Sequence, residues 1–186
     1  MSEKNCFVDK EKRKILLSGE MNNESVGEIE WALIQIITED NLNDVKEKNF
    51  ERKPVVIYIN SPGGWVYDTW GLIDMILHSK TPIYTVCTGY AMSSAFKLLI
   101  TGHKRYCYPH STLMYHQFSS GIYGKYQEII DDMQEKERLS KISDEYVLQH
   151  TKFTEELLKD IHSRKIDFYM NAEDALKYGC IDKIVN

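Results

Sequence analysis

The sequence predicts an α/β fold built around a parallel sheet. Residues 55–59 and 83–88 form near-continuous apolar runs, which are typical of strands buried on both faces. Between these runs, apolar residues recur at helical spacing, at Val66, Trp70, Ile73 and Leu77. A second helical pattern, residues 97–100, follows the later run and ends at Gly102. The order strand, helix, strand, helix favours βα units joined by right-handed crossovers.

The residues before this region predict one more strand and one more helix. Residues 15–17 are typical of a short strand that ends at Ser18-Gly19. A cap-rich segment, residues 22–25, begins a helix with an apolar face at Val26, Ile29, Leu33 and Ile37. Residues 38–54 are polar and predict a surface loop or a solvated helical end. Residues 1–13 are polar and charged, so we expect them to be frayed.

The longest predicted helix, residues 125–150, is also the most charged. A helix this polar either stands away from the core or packs against another subunit. The other elements predicted after Gly102 are short strands at residues 105–108, 112–116, 167–171 and 181–185, a helix that Thr154 caps, and a helix over residues 172–178 that Gly179 ends.

Composition narrows the functional classes. With 42% apolar and 27% charged residues, the 186-residue chain predicts one globular domain over residues 1–186. Its net charge of −5 argues against a nucleic-acid or anionic-membrane partner. The sequence contains no bilayer-spanning apolar run and no signal-peptide pattern at its beginning, so we expect a cytoplasmic location. The four cysteines form no C-x-x-C pair, so reduced thiols and no metal site are expected.

Ser93 lies where a predicted strand becomes a predicted helix. At such a turn the first helical N–H groups are free and the helix dipole favours negative charge. A serine there can be a nucleophile, and the N–H of Ser94 can help to bind an oxyanion. Ala91 and Ala95 stand at minus two and plus two, where the hydrolase elbow has glycine. Alternatively, Ser93 or Ser94 simply caps the helix.

The pair Gly63-Gly64 follows one buried strand and precedes a helix. A phosphate cradle is one interpretation, although neither glycine-rich phosphate-binding motif is present. Close approach of backbone N–H groups to a substrate is a second, because glycine has no Cβ. A plain tight turn is the third.

His116 is the candidate general base, because it lies near the end of a predicted strand. His103 and His110 compete with it, but their loop-like surroundings fix a ring less well. A carboxylate normally holds such a base in one tautomer. The carboxylates considered are Asp160, Asp167, Asp174 and Asp182. Asp167 is weakly favoured, because it lies on an extended segment where partial burial is expected.

Four segments together resemble the proteolytic subunit of the Clp protease family. They are residues 58–64, residues 89–93, residues 114–117, and residues 167–172 with 178–182. Their order and spacing match that family from about Ile15 to the end of the chain. The resemblance implies a core of repeated ββα units, shared with crotonases, from which a long helix protrudes. This "handle" helix corresponds to residues 125–150.

The resemblance also implies chemical roles for individual residues. Ser93 corresponds to the nucleophile, His116 to the general base and Asp167 to the carboxylate that orients the base. The backbone N–H groups of Gly64 and Ser94 correspond to the oxyanion hole. The implied activity is cleavage of unfolded polypeptides through an acyl-enzyme, without a metal or organic cofactor.

The resemblance further implies a homo-oligomer: two heptameric rings stacked through the handle helix, with an AAA+ unfoldase as a further partner. The substrate would bind extended, by strand addition near residues 117–123. Several features depart from the family pattern: the short segment of residues 1–13, the longer loop over residues 38–54, Trp65 after the glycine pair, and Phe118 in place of a proline. We expect Trp65 to pack on the helix rather than narrow the cleft.

Three alternatives stay open at this point. The first is a crotonase-like enzyme that handles acyl-CoA, since crotonases also use paired backbone N–H groups. The second is a non-catalytic ring subunit or scaffold. The set of Ser93, His116 and Asp167 argues against both. The third is a phage capsid-maturation protease of the same fold.

Overall fold

The computed structural model describes residues 4–119, 121 and 123–185. This part of the chain contains eight strands and six helices. In chain order they are β1 Cys6–Asp9, β2 Lys14–Ser18, α1 Asn23–Lys46, β3 Val55–Ser61, α2 Val66–Leu77, β4 Ile83–Met92, α3 Ser94–Thr101, β5 Lys104–Cys107, β6 Thr112–Tyr115, α4 Tyr126–His150, α5 Glu155–Arg164, β7 Phe168–Met170, α6 Ala172–Lys177 and β8 Lys183–Ile184.

The strands form one mixed sheet whose central part is parallel. Its order is β1-β2-β3-β4-β5-β8, and every pair from β2 to β8 is parallel. The end of β4 also pairs in parallel with β6, which in turn pairs antiparallel with β7. The predicted α/β class is therefore confirmed. Because β2, β3 and β4 run in the same direction, the segments that follow them all meet at one edge of the sheet.

The core lies between this sheet and the helices that cover it. In β3, alternate residues from Val55 to Ser61 are buried. Every residue of α3 is buried, which makes it the most enclosed helix in the described part of the chain. Helix α2 buries Leu72, Ile73 and Ile76, whereas Leu77 is 42% exposed. The predicted apolar stripe of α2 was therefore wrong at Leu77, because the buried face is rotated toward Leu72 and Ile76.

One local prediction was wrong, and one open alternative is decided. Residues 6–9, expected to be frayed, form β1, which pairs with β2 and buries Cys6. Residues 38–46, for which a loop was one alternative, continue α1, so the loop covers only residues 47–54. Helix α1 persists there because Asp40, on its inner face, is hydrogen-bonded by Arg13 and Thr81. Residues 1–3 lie outside the described residues.

The long helix α4 has two different halves. Its second half packs on the core and buries Leu139, Ser143, Tyr146 and Val147. In its first half, Tyr126 is 80% exposed and Met133 is 56% exposed. The helix predicted over residues 125–150 is confirmed as an element. Within residues 4–119, 121 and 123–185, none of the helices combines the length and the apolar character that crossing a bilayer requires.

Candidate active site

The turn between β4 and α3 holds Ser93 in a backbone conformation that is rare for a residue with a side chain. Its φ is 53° and its ψ is −118°. Ser93 occupies the N-cap position of α3, yet its side chain makes no capping hydrogen bond. Its own N–H donates to the carbonyl of Met114 at 2.9 Å, which fixes the turn against β6. The simple capping role that the sequence left open for Ser93 is therefore not what its hydroxyl does.

The hydroxyl of Ser93 instead faces the imidazole of His116. Oγ of Ser93 and Nε2 of His116 are 2.8 Å apart, within hydrogen-bonding distance. The sheet register produces this contact, because Tyr90 pairs with Thr112 and Met92 with Met114. His116 directly follows β6, so its ring arrives beside the residue that directly follows β4.

Asp167 lies on the other side of the imidazole. Its Oδ1 is 3.6 Å from Nδ1 of His116, which is longer than a hydrogen bond. Asp167 reaches this place because it precedes β7, where Phe168 pairs with Tyr115. The side chain of Asp167 is 53% exposed, so it is only partly buried. In this geometry the carboxylate acts on the ring through its charge.

Three of the five competing residues, Asp160, Asp182 and His103, are engaged elsewhere. Asp182 forms an ion pair with Arg105 at 2.6 Å, and Asp160 forms one with Arg164 at 2.9 Å. Nδ1 of His103 accepts a hydrogen bond from the N–H of Ile83 at 3.0 Å. The geometry thus brings Ser93, His116 and Asp167 together, and their catalytic roles stay a prediction at this point.

The environment of His116 favours its neutral form. Burial lowers the pKa of the imidazole below its ordinary value of 6.5. The negative charge of Asp167 opposes this and raises the pKa, while the positive charge of Lys97 lowers it further. Burial prevails, so at pH 7 the ring is uncharged and can accept a proton.

The pair Gly63-Gly64 packs directly against the Ser93 turn. The φ values of the two glycines are +93° and +155°, which strain any residue with a side chain. A Cβ on Gly63 would come within 2.6 Å of the Met92 carbonyl oxygen and 2.8 Å of the Ser94 nitrogen. A Cβ on Gly64 would overlap the carbonyl group of Met21. Close backbone approach, rather than a plain tight turn, therefore requires glycine here.

Two backbone N–H groups beside Ser93 are free to bind a ligand. Among the hydrogen bonds of the described residues, neither the N–H of Gly64 nor that of Ser94 is a donor. The hydroxyl of Ser94 donates to the Gly64 carbonyl at 3.1 Å and so ties the two turns together. Preorganised donors of this kind stabilise negative charge that develops on an oxygen.

Comparison with known proteins agrees with this geometry. The family model described as Clp protease matches residues 10–186. The chain belongs to the Clp protease family. A relative from Deinococcus radiodurans, an ATP-dependent Clp protease proteolytic subunit, is 38% identical over 138 residues. That match covers 71% of this chain and 65% of the relative's length. The resemblance that the sequence motifs indicated is confirmed.

In this Clp protease family member, Ser93, His116, Gly64 and Ser94 line one cavity of about 740 Å³. Trp65 lines it too and is 65% exposed, so the expectation that it packs on the helix was wrong. The described residues of the predicted strand-addition segment, 117–119, 121 and 123, are not in a strand, and residues 120 and 122 lie outside the described residues.

Sequence reasoning missed two contributors to this cavity. The hydroxyl of Ser94 carried no signal beyond a general capping preference, because its partner Gly64 is thirty positions away. Lys97 also lines the cavity, and a signal for it was present. It interrupts an otherwise apolar helical run, residues 95–100, and a single charge in a buried stripe calls for a reason.

Proposed function

We propose that this chain is a serine endopeptidase of the Clp type that cleaves unfolded polypeptides or peptides. The observation that carries the proposal is the 2.8 Å contact between Oγ of Ser93 and Nε2 of His116, whose pKa burial lowers. A serine hydroxyl is a weak nucleophile until a neighbouring base accepts its proton. Here the hydroxyl, the base and the free N–H groups line the same cavity.

The steps follow from the positions of these groups. Oγ of Ser93 attacks the scissile carbonyl while Nε2 of His116 accepts its proton. The resulting oxyanion is stabilised by the N–H groups of Gly64 and Ser94. His116 then protonates the leaving amine, and water hydrolyses the acyl-enzyme. The charge of Asp167 stabilises the imidazolium that forms between these steps.

Labelling with a fluorophosphonate tests the assignment of the nucleophile. We expect the wild-type protein to be labelled at Ser93 and the Ser93→Ala variant not to be labelled. The matched control is Ser94→Ala, which keeps the backbone N–H and should still be labelled. Labelling of Ser93→Ala to the wild-type extent would refute the proposal. The peptidase activity of the same three proteins is measured as hydrolysis of a short peptide and of casein, without any ATPase.

We further propose that the protein works as a chamber of two heptameric rings stacked through the handle helix. The first half of α4 supports this, because Tyr126 and Met133 expose apolar surface that none of the described residues covers. Light scattering on active protein should give the mass of a ring assembly. Met133→Glu should reduce that mass, whereas Lys141→Glu, in the packed second half but exposed, should not. A monomeric active protein would refute the chamber. An AAA+ unfoldase as partner is part of the same proposal.

A further inference from the structure

Lys97 places a buried ammonium group in the wall of the cavity beside Ser93. The residue is 6% exposed and lies one helical turn after Ser93 in α3. Side chains of an α-helix lean back toward its N-terminus, so the stem of Lys97 leans toward the Ser93 turn. Both residues line the same cavity.

Among the described residues, the ammonium group has only uncharged partners at close range. Nζ of Lys97 donates to Oγ of Ser143 at 3.3 Å and lies 5.5 Å from the ring centroid of Trp70. Within the described part of the chain, no carboxylate forms an ion pair with Lys97. A buried charge without a counter-charge is costly, so such groups in proteins are normally paired.

Asp144 does not fill this role. One of its oxygens accepts a hydrogen bond from the Tyr115 hydroxyl, and the same oxygen lies 3.3 Å from Nε2 of His162. Burial lowers the pKa of Lys97 to about 8, and the more distant charge of Asp144 opposes this. Lys97 therefore remains largely protonated at pH 7. Asp144 is not among the residues that line the cavity.

The wall around Lys97 has the chemistry of an anion site. Ser140 and Ser143 of α4 and Tyr115 of β6 line the cavity with it. The other formally charged residue among the described lining residues is Glu20, which is exposed and belongs to the segment after β2. The α3 and α4 side of the cavity thus carries a positive charge with hydroxyl groups around it.

We propose that Lys97 recognises an acidic side chain, glutamate or aspartate, on the substrate residue whose carbonyl Ser93 attacks. This inference rests on the serine peptidase function proposed above. The substrate carboxylate supplies the counter-charge that none of the described residues provides, and the hydroxyls of Ser140 and Ser143 can donate to its oxygens. An apolar side chain in the same place would leave the ammonium group desolvated and unpaired. The cavity therefore discriminates by charge.

A matched set of fluorogenic peptides tests the inference. The peptides are identical except for Glu, Gln or Leu at the residue before the scissile bond. In the wild-type protein, kcat/KM for the Glu peptide should exceed that for the isosteric Gln peptide by about 10- to 100-fold, as for a hydrogen bond between charged groups. In Lys97→Met the Glu/Gln ratio should fall to one or below. The control Lys159→Met removes an exposed lysine of α5 and should keep the wild-type ratio.

A second variant covers the case in which Lys97→Met fails to fold. Ser143→Asp places a carboxylate where the Ser143 hydroxyl now contacts Nζ, so that Lys97 is paired internally. We expect the Glu/Gln ratio of this variant to fall in the same way. Ser143→Ala removes the hydroxyl without adding a charge and should retain a Glu/Gln ratio well above one.

A wild-type Glu/Gln ratio of one or less would overturn the inference, and so would a wild-type ratio in Lys97→Met. A binding measurement distinguishes failure of the Lys97 inference from failure of the peptidase proposal. Fluorescence anisotropy on the Ser93→Ala variant compares peptides that contain Glu or Gln at the tested position. If Ser93 is labelled but the protein shows no preference for the Glu peptide, only the role of Lys97 is refuted. If the protein binds the Glu peptide more tightly but Ser93 is not labelled, the peptidase proposal is refuted. The assignment of the acidic residue to the scissile position then fails too, whereas the anion site at Lys97 stands.

Discussion

The amino and carboxyl ends of the parallel strands differ in how their strained residues and their carboxylates are paired. Both ends contain a non-glycine residue at a positive φ next to a parallel strand: Arg13 with φ 55° before β2, and Ser93 with φ 53° after β4. At the amino end, the guanidinium of Arg13 forms two hydrogen bonds with Asp40, at 3.0 and 2.7 Å. At the carboxyl end, the Ser93 hydroxyl contacts His116 and no capping group.

The carboxylates at the two ends differ in the same sense. Asp40 is 1% exposed, and Thr81 also donates to it, at 2.6 Å. Burial alone would raise the pKa of Asp40, but the hydrogen bonds from Arg13 and Thr81 outweigh burial and lower it. The side chain of Asp167 is 53% exposed and lies 3.6 Å from His116. The amino end thus encloses and pairs its carboxylate, whereas the carboxyl end leaves the carboxylate of Asp167 about half exposed.

The largest expected effect follows from replacing Ser93 by glycine. Activity should fall by about 10⁵- to 10⁶-fold, as for loss of a serine nucleophile. The free energy of unfolding should nevertheless rise by about 1 kcal/mol, because glycine relieves backbone strain that typically costs 1–3 kcal/mol, less its own entropy cost. The measurements are peptide hydrolysis and chemical denaturation.

The matched control for this prediction is Ser93→Ala. Alanine loses the nucleophile equally but keeps the strained backbone, so its unfolding free energy should stay within about 0.5 kcal/mol of wild type. If glycine and alanine gave the same stability, strain at Ser93 would no longer distinguish the carboxyl end.

Replacing an aspartate by asparagine at either end of the strands, Asp167 or Asp40, should have a smaller effect that is confined to activity or to stability. Asp167→Asn should lower kcat by about 10²- to 10⁴-fold, because the imidazolium loses its stabilising charge. Its unfolding free energy should change by less than about 0.5 kcal/mol, because an exposed residue contributes little. Peptide kinetics and denaturation on the same preparation provide both numbers.

Asp40→Asn should show the reverse pattern. Removing the charge leaves Arg13, which is 17% exposed, without its counter-ion. The expected loss is about 2–4 kcal/mol, somewhat below that for a fully buried pair because water still reaches Arg13. The kcat of the folded fraction should stay unchanged. A comparable stability loss in Asp167→Asn would show that both carboxylates are structural and would end the contrast.

How well the sequence predicted each region depends on where the determining contacts lie. Strands β3 and β4 were predicted from the apolar runs of residues 55–59 and 83–88, which are visible in the sequence itself, although β3 fully buries only alternate residues. Ser93 was a candidate because the change from strand to helix is also local. Residues 38–46 of α1 were ambiguous because their helix is held by Asp40, whose partner Arg13 is twenty-seven positions away.

The same reasoning explains the uncertain parts of the site. Local chemistry favoured Asp167 only weakly, because its position beside His116 follows from the antiparallel register of β6 and β7. That register does not show in composition or periodicity. The predicted orientation of Trp65 was wrong for a similar reason. The backbone N–H of Trp65 donates a hydrogen bond to the carbonyl of Met21, which fixes Trp65 at the cavity edge rather than on α2. The family resemblance supplied what local patterns could not.

The smallest expected effect is a change in pH dependence at the carboxyl end. His116 must be neutral to accept a proton, so kcat/KM should rise with pH through its free-enzyme pKa. Burial places that pKa below 6.5, with Asp167 raising it and Lys97 lowering it. Asp167→Asn removes the charge that raises the pKa, so the acidic limb should move to lower pH. Lys97→Met removes the charge that lowers the pKa, so the limb should move to higher pH.

The measurement is kcat/KM against pH for a peptide without ionisable side chains, so that the substrate does not titrate. The variants Asp40→Asn and Lys159→Met serve as controls, because neither residue is among the charges that act on His116. Opposite shifts in the two site variants require both charges to act directly on the imidazole. Shifts in the same direction would instead mean that the substitutions change the burial of the ring, and the separate electrostatic roles of Asp167 and Lys97 would have to be abandoned.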